Sequence, residues 1–331
     1  TNELNIPQDA LSFSVYDIEQ GEYLFYEGDS QLPTVASLAK LFVIDYALEK
    51  VDLDDVVEVN QEVLELVPAG SSLANLTAGE YTVKQIMEAM LVPSGNDAAY
   101  ALAYYIAKNE LGEGYAVTEY IDYFMTELSE YLIEEGYSKT NLYNDPSGAS
   151  MQADTHLDDI NRVALKLLDY DFVRECIGKS SFSIQTPQGE FTWKNTNEFL
   201  DKNSPYYNAN VKGMKTGTMA SSYSIVVLYE KDGKEYLITC LAALSNEGRY
   251  CDSIGFTPVP EFMRESPIKT AEMSTEQNYN MIDGTLNNAP SMGELEARAK
   301  AEKPKQNRTA SKTAQRQKKP SIRAQLKAAK E

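Results

Sequence analysis

The chain has 331 residues, 43% of them apolar, with 50 acidic against 30 basic side chains and a net charge of −20. That length supports one large domain or two ordinary ones with a sizeable core. No apolar run approaches the roughly 20 residues of a bilayer-spanning helix, and so acidic a body is a poor ligand for nucleic acid. The start, Thr1-Asn2-Glu3, shows neither a leader pattern nor an initiator Met, which decides nothing about export.

The charge is unevenly spread. Residues 1–263 carry 16 Lys and Arg against 42 Asp and Glu, a net of −26, whereas residues 264–331 carry 14 against 8, a net of +6. Such a reversal marks two physically different segments, a body and a basic tail. Cys176, Cys240 and Cys251 are odd in number and far apart, so free buried thiols are expected rather than a disulfide framework or a metal site. The single histidine, His156, excludes a multi-His metal centre and argues against a Ser-His-Asp triad. Nothing calls for a metal or cofactor. In Asp154-Thr155-His156-Leu157-Asp158, Asp154 or Thr155 is expected to cap a helix.

In chain order, residues 11–17 alternate as a strand, Ile18-Glu19-Gln20-Gly21 turns, and residues 22–26 return. Ser37 and Lys40 then stand at the mouth of an apolar run reaching to about Val51, which reads as a helix buried on most sides. An acidic stretch, 52–66, ends at Pro68-Ala69-Gly70-Ser71-Ser72, and residues 82–90 resume a helical pattern. Pro93-Ser94-Gly95-Asn96 separates that helix from one beginning near Asp97, and further helices are predicted over 117–135 and 158–168. Residues 222–229 and 235–244 are two strands joined by Lys231-Asp232-Gly233-Lys234, a hairpin signal. Strands at both ends with helices between predict an α+β body (α/β in the broad sense). One antiparallel sheet is built from about 10–50 and 205–255 and flanked by helices, with an all-helical subdomain inserted at about 51–204. Residues 287–331 hold too few apolar side chains to offset their ordering entropy, so a disordered or transiently helical tail is expected.

Three short motifs carry chemistry. A serine three residues before a lysine on a helix brings hydroxyl and amine onto one face. An amine in apolar surroundings has its charged form disfavoured, so Lys40 is a candidate base. Ser-x-x-Lys by itself says little, since Ser266-Pro267-Ile268-Lys269 is a second copy. Ser94-Gly95-Asn96 and Lys215-Thr216-Gly217 each occur once, the first on a break between helices and the second just before a strand pair. Read singly they are turn residues and an exposed lysine. Together and in this order they are a known catalytic set.

With Gly70-Ser71-Ser72, Leu91 to Ala99, Asn144-Asp145-Pro146-Ser147-Gly148 and Val211 to Thr218, these motifs make the body resemble the serine-type D-Ala-D-Ala carboxypeptidases, low-molecular-mass penicillin-binding proteins of β-lactamase/transpeptidase-like fold. The resemblance runs from about residue 10 to 253. It implies that Ser37 is the acyl-forming nucleophile, that Lys40 takes its proton and that Ser94 relays a proton to the leaving amine. Asn96 would orient the substrate amide and Lys40, and Lys215 would place positive charge near the terminal carboxylate with Thr216 and Thr218 alongside. Gly217 would admit the substrate backbone, and the N–H groups of Ser37 and Thr218 would form the oxyanion hole. A peptidoglycan stem peptide is the implied substrate and β-lactams the covalent inhibitors, with no nucleic acid expected for the body. An extracytoplasmic location follows, secreted or envelope-associated, although no signal or anchor stands in this chain.

Lys215 beside Lys40 is expected to depress the latter's basicity by repulsion. A closing helix is expected near 249–263, where Thr257-Pro258-Val259-Pro260 would break it. Two other readings compete. A class A-like β-lactamase would need a Glu-x-x-Leu-Asn string, and Asn144-Asp145-Pro146 stands in its place, so slow release of a penicilloyl group is expected. A non-catalytic β-lactam or peptidoglycan sensor would acylate Ser37 without cleaving peptide. For residues 264–331 the choice lies between an inert solvated tail and one that meets an unknown anionic partner. Tyr279 to Gly284 and Lys319 to Arg323 resemble the ends of mobile-element accessory proteins.

Overall fold

The computed structural model describes residues 10–28, 31–32 and 34–255, with the backbone alone over 251–255. The expectations for the tail therefore lie outside the described residues. In chain order the elements are β1 (Ser12–Asp17), β2 (Glu22–Glu27), a 3-10 turn (Ala36–Leu38), α1 (Ala39–Leu48), β3 (Val56–Val59), α2 (Gln61–Glu65), β4 (Gly79–Thr82) and α3 (Val83–Leu91). Then come α4 (Asn96–Leu111), α5 (Val117–Glu134), α6 (Leu157–Leu167), α7 (Asp171–Ile177), β5 (Ser181–Thr186) and β6 (Gly189–Lys194). The chain returns through β7 (Val211–Met219), β8 (Ser222–Lys231), β9 (Lys234–Ala243) and α8 (Asn246–Gly255).

The main sheet has the order β2-β1-β9-β8-β7, and its paired strands are antiparallel. Its N-terminal hairpin lies against the last strand, with Phe13 opposite Cys240 and Val15 opposite Ile238. Asp232 and Gly233 both have positive φ, +54° and +75°, the geometry a two-residue hairpin turn demands. Both faces of the sheet are covered. Val226, Leu228, Leu237 and Leu241 face the core shared with the helices, whereas Ile225, Val227, Tyr229 and Ile238 join a second cluster with Phe199 and Tyr250. That is why β8 reads as a nearly unbroken apolar run: alternate residues point to opposite faces, and neither face is wet.

Helix α1 is the axle. Every residue from Ala39 to Ala47 is buried, as an all-round apolar helix requires. Its one acidic side chain, Asp45, accepts hydrogen bonds from the Tyr131 and Tyr137 hydroxyls and pairs with Lys166 at 3.0 Å, tying α1 to α5 and α6. The second half of α1 is thus anchored to the helices around it.

Several boundaries depart from the sequence reading. The inserted subdomain is helical at heart but carries two small sheets, β3–β4 and β5–β6. Four-residue strands such as β3 show too little alternation to stand out in an acidic stretch. The N-cap of α6 is His156 itself, whose Nδ1 accepts from the Asp158 N–H at 3.2 Å, rather than Asp154 or Thr155. The closing helix begins earlier than expected, at Asn246, and its described part ends at Gly255, ahead of Pro258. Cys176 and Cys240 are buried.

Candidate active site

Ser37 sits in the 3-10 turn that leads into α1, partly exposed, after Ala36 in a left-handed conformation (φ +51°). One turn on, Lys40 is fully buried. Its Nζ lies 3.0 Å from Ser37 Oγ, 2.7 Å from Asn96 Oδ1 and 3.0 Å from the carbonyl oxygen of Ser147. Two of these partners can only accept. An uncharged amine gives its two N–H bonds to Asn96 and Ser147 and turns its lone pair to the Ser37 hydroxyl. Burial lowers Lys40 to about 7, against the opposing pull of the Asp145 and Asp97 carboxylates. Burial is therefore the leading cause, and the repulsion expected from Lys215 is not what sets it.

Ser94 occupies the break between α3 and α4 with φ +62°. The break is held by Gly95 N–H to the Ala89 carbonyl at 2.9 Å and Asn96 N–H to the Ser72 carbonyl at 2.8 Å. Asp97 accepts from the backbone of Ala74 at 2.9 Å and of Leu76 at 3.0 Å, so the 70–76 loop is pinned to the head of α4. Ser94 Oγ accepts from Lys215 Nζ at 2.7 Å. Lys40 thus meets Asn96 across 56 residues of chain and Lys215 meets Ser94 across 121, at the same break.

Lys215 is buried, with its amine also donating to the Thr216 carbonyl at 3.0 Å. Its basicity is well below that of an ordinary lysine, first because of burial and then because Lys40 and Arg249 stand near. This amine faces Ser94, and a second cation stands nearby. Arg249 of α8 sends Nη1 to Thr218 Oγ1 at 2.8 Å and to the Gly217 carbonyl at 3.3 Å. Sequence reading missed it, although it is the only arginine between residues 175 and 263.

At Gly217 an added Cβ would meet Leu38 Cγ at 3.1 Å and Ala36 Cβ at 3.5 Å, so its small size lets β7 close on the 3-10 turn that carries Ser37. Thr216 is buried, its hydroxyl 2.6 Å from that of Thr196, whose N–H in turn donates to the Val92 carbonyl at 3.1 Å. Thr196 thereby ties β7 to the α3–α4 break, a link with no signal in the sequence. Thr218 is exposed on β7, the edge strand of the sheet, where every second backbone group faces away from β8.

A cleft of about 330 Å³ opens over this cluster. Ser37, Asn96, Ser147 and Thr218 lie on its wall, with Gly70-Ser71-Ser72 on one rim and Met151 and Met219 on another. Lys40, Ser94, Lys215, Thr216 and Gly217 are buried. No charged side chain lines the cleft.

A sheet built from residues 12–27 and 211–243, a largely helical insertion between them, and a serine hydroxyl beside a buried lysine are the features of the β-lactamase/transpeptidase fold. The solved Streptomyces K15 DD-transpeptidase superposes with a TM-score of 0.66 at 22% identity, covering 80% of this chain and 100% of that one. Penicillin-binding protein D2 of Listeria monocytogenes, in its ampicillin-bound form, gives a TM-score of 0.58 at 23% identity over 76% of this chain and 97% of that one. Within that fold, residues 5–243 match the D-alanyl-D-alanine carboxypeptidase family, and the chain belongs to it. A D-alanyl-D-alanine carboxypeptidase of Streptomyces sp. strain K15 is 28% identical over 217 residues, 62% of this chain and 71% of the relative. DacF of Bacillus subtilis strain 168 is 22% identical over 257 residues, 75% of this chain and 61% of its own length. Residues 264–308 match a second family, a domain of unknown function (DUF4316).

Proposed function

We propose that Ser37 is the residue acylated when this serine-type DD-carboxypeptidase removes the terminal D-Ala of a peptidoglycan stem peptide. Ser37 Oγ attacks the carbonyl between the two D-alanines and gives its proton to Lys40. The oxyanion of the tetrahedral intermediate is received by the N–H groups of Ser37 and Thr218; such a donor contributes about 3–4 kcal/mol. Ser94, held by Lys215, passes a proton to the departing D-Ala nitrogen. The Thr216 and Thr218 hydroxyls and Arg249 take the substrate's terminal carboxylate, and Asn96 orients both the substrate amide and Lys40. Water then releases the acyl group and restores Ser37. A penicillin is opened by the same attack, but its leaving nitrogen stays tethered, so the adduct persists.

The observation that carries this reading is the Lys40 amine, buried between one hydroxyl and two oxygens that can only accept. The test is release of D-alanine from diacetyl-Lys-D-Ala-D-Ala. Wild type releases it and Ser37→Ala does not; penicillin labelling of Ser37 with no peptide cleavage in wild type would instead make the protein a sensor.

Family members act on peptidoglycan, and we place this protein's action outside the cytoplasm on that account. We also propose the division of the chain into a catalytic part, 1–263, and a separate segment, 264–331, from the change in charge at that point.

A further inference from the structure

The loop 144–148 offers more than the Ser147 carbonyl. Asp145 and Ser147 are both buried, at 6% and 1% exposure, in a place where a lone carboxylate is costly. Asp145 Oδ1 accepts from the Ser147 N–H at 2.7 Å and from the Ser147 hydroxyl at 2.6 Å. Burial and the Asp145 carboxylate beside it push the Tyr100 phenol of α4 up. The two bonds from Ser147 leave the peptide that follows in one orientation, with the Ser147 carbonyl 3.0 Å from Lys40 Nζ. Gly148 completes the loop at φ +80°, where an added Cβ would run into the Ala36 carbonyl of the nucleophile's turn. We propose that Asp145 is a positioning residue for the general base: its carboxylate fixes the Ser147 peptide against the Lys40 amine and supplies a buried negative charge which that amine faces.

The charged groups around Lys40 are few. Asp97 comes from α4, Asp145 from the loop and Lys215 from β7, with Arg249 beyond Lys215; Asn96 and Ser37 are neutral. Asp145 ranks first among the groups that hold Lys40 up against burial, ahead of Asp97. Its Oδ1 is taken up by the Ser147 N–H and hydroxyl. Removing the charge lets burial push Lys40 lower still. The amine then stays uncharged to lower pH, but accepts the Ser37 proton less readily.

This inference rests on Lys40 as the base of Ser37, and the experiment separates the two. The second-order rate of acylation by a fluorescent penicillin is measured against pH for wild type, Asp145→Asn and Asp145→Ser. Both variants keep a side chain able to hydrogen-bond the Ser147 N–H, and either one that melts like wild type serves. Intact-protein and peptide mass locate the adduct. The expected result is an acid limb displaced to lower pH by roughly 1 unit, an alkaline plateau lowered about threefold, and an unchanged rate of penicilloyl release. An acid limb that stays in place in a folded variant overturns the proposal, as does a loss of release, which would make the carboxylate a deacylation base. A wild-type adduct away from Ser37, or no acid limb in wild type, would instead remove the reading beneath it.

Discussion

Lys215 Nζ lies 2.7 Å from Ser94 Oγ, across 121 residues of chain and between two lobes of the fold, the edge strand β7 and the α3–α4 break. The serine is held with φ +62°, a conformation unfavourable for a residue with a Cβ. Such strain persists where surrounding contacts over-determine it, here the two backbone bonds that close the break. In the reaction proposed above this pair is the proton path to the leaving nitrogen, separate from the Ser37–Lys40 pair that starts it.

Removing one half of that path gives the first prediction. Ser94→Ala leaves Ser37 and Lys40 in contact but strands the Lys215 amine without its hydroxyl. D-Alanine release falls by about 10²–10³. Steady-state kinetics on the stem-peptide analogue check this, and a loss under tenfold would take Ser94 out of proton transfer.

Arg249 supplies a second prediction. If its guanidinium, with Thr218, holds the terminal carboxylate, Arg249→Gln lowers kcat/KM for peptides ending in free D-Ala by about 10–100-fold, the value of a charge-assisted hydrogen bond. A peptide amidated at its C-terminus carries no charge for Arg249 to meet and is already a poor substrate. The variant should not slow it further. Equal losses on both peptides contradict the role.

The depressed basicity of Lys40 has two consequences of opposite reach. In activity, the amine is charged below about pH 7, so acylation falls about tenfold per pH unit on the acid side. In stability, an unfolded Lys40 binds its proton at the ordinary 10.5 and the native one only below about 7. Between those values the unfolded state holds more protons, so this group's contribution is full above 10.5 and is lost as pH falls toward 7. The stability of wild type relative to Lys40→Met therefore rises with pH by up to about 1.4 kcal/mol per unit. Paired denaturant titrations at pH 7.5 and 9.5 measure it, and a difference independent of pH would mean the buried amine keeps its proton.

Gly148 tests the loop that carries Ser147. Alanine at φ +80° would press on the Ala36 carbonyl, and either the loop or the nucleophile's turn must move. Gly148→Ala is expected to lose roughly 2–4 kcal/mol of stability and most of its acylation rate. Denaturant midpoints and penicillin labelling report the two effects. An unchanged midpoint would show that the turn yields easily.

Much of this arrangement was legible because its signals are local. The Ser37 helix, the Ser94 break between two helices and the Asp232-Gly233 hairpin each rest on a few neighbouring residues whose propensities agree. What stayed hidden depends on distance. That Gly217 also lets β7 close on the Ser37 turn shows only once Leu38 stands against it. Arg249 is one residue of a short helix, and only the packing of α8 on β8 and β9 lets it reach Thr218. Lys215 looks like an exposed lysine beside a carboxylate site, yet burial turns it toward Ser94. Of the small sheets, β3 and β4 are four residues each in an acidic stretch, and β5 and β6, six residues each, bury one side chain apiece, so neither pair carries a strong apolar pattern.

The central claim is that an uncharged Lys40 takes the proton of Ser37. Wild type and Lys40→Ala are exposed to a fluorescent penicillin and read by intact mass, peptide mapping and thermal melting. The account predicts one penicilloyl group on Ser37 of wild type, slow to leave, and none on the alanine variant although it melts as a folded protein. Equal acylation of the two proteins, or an adduct on another residue, would contradict it.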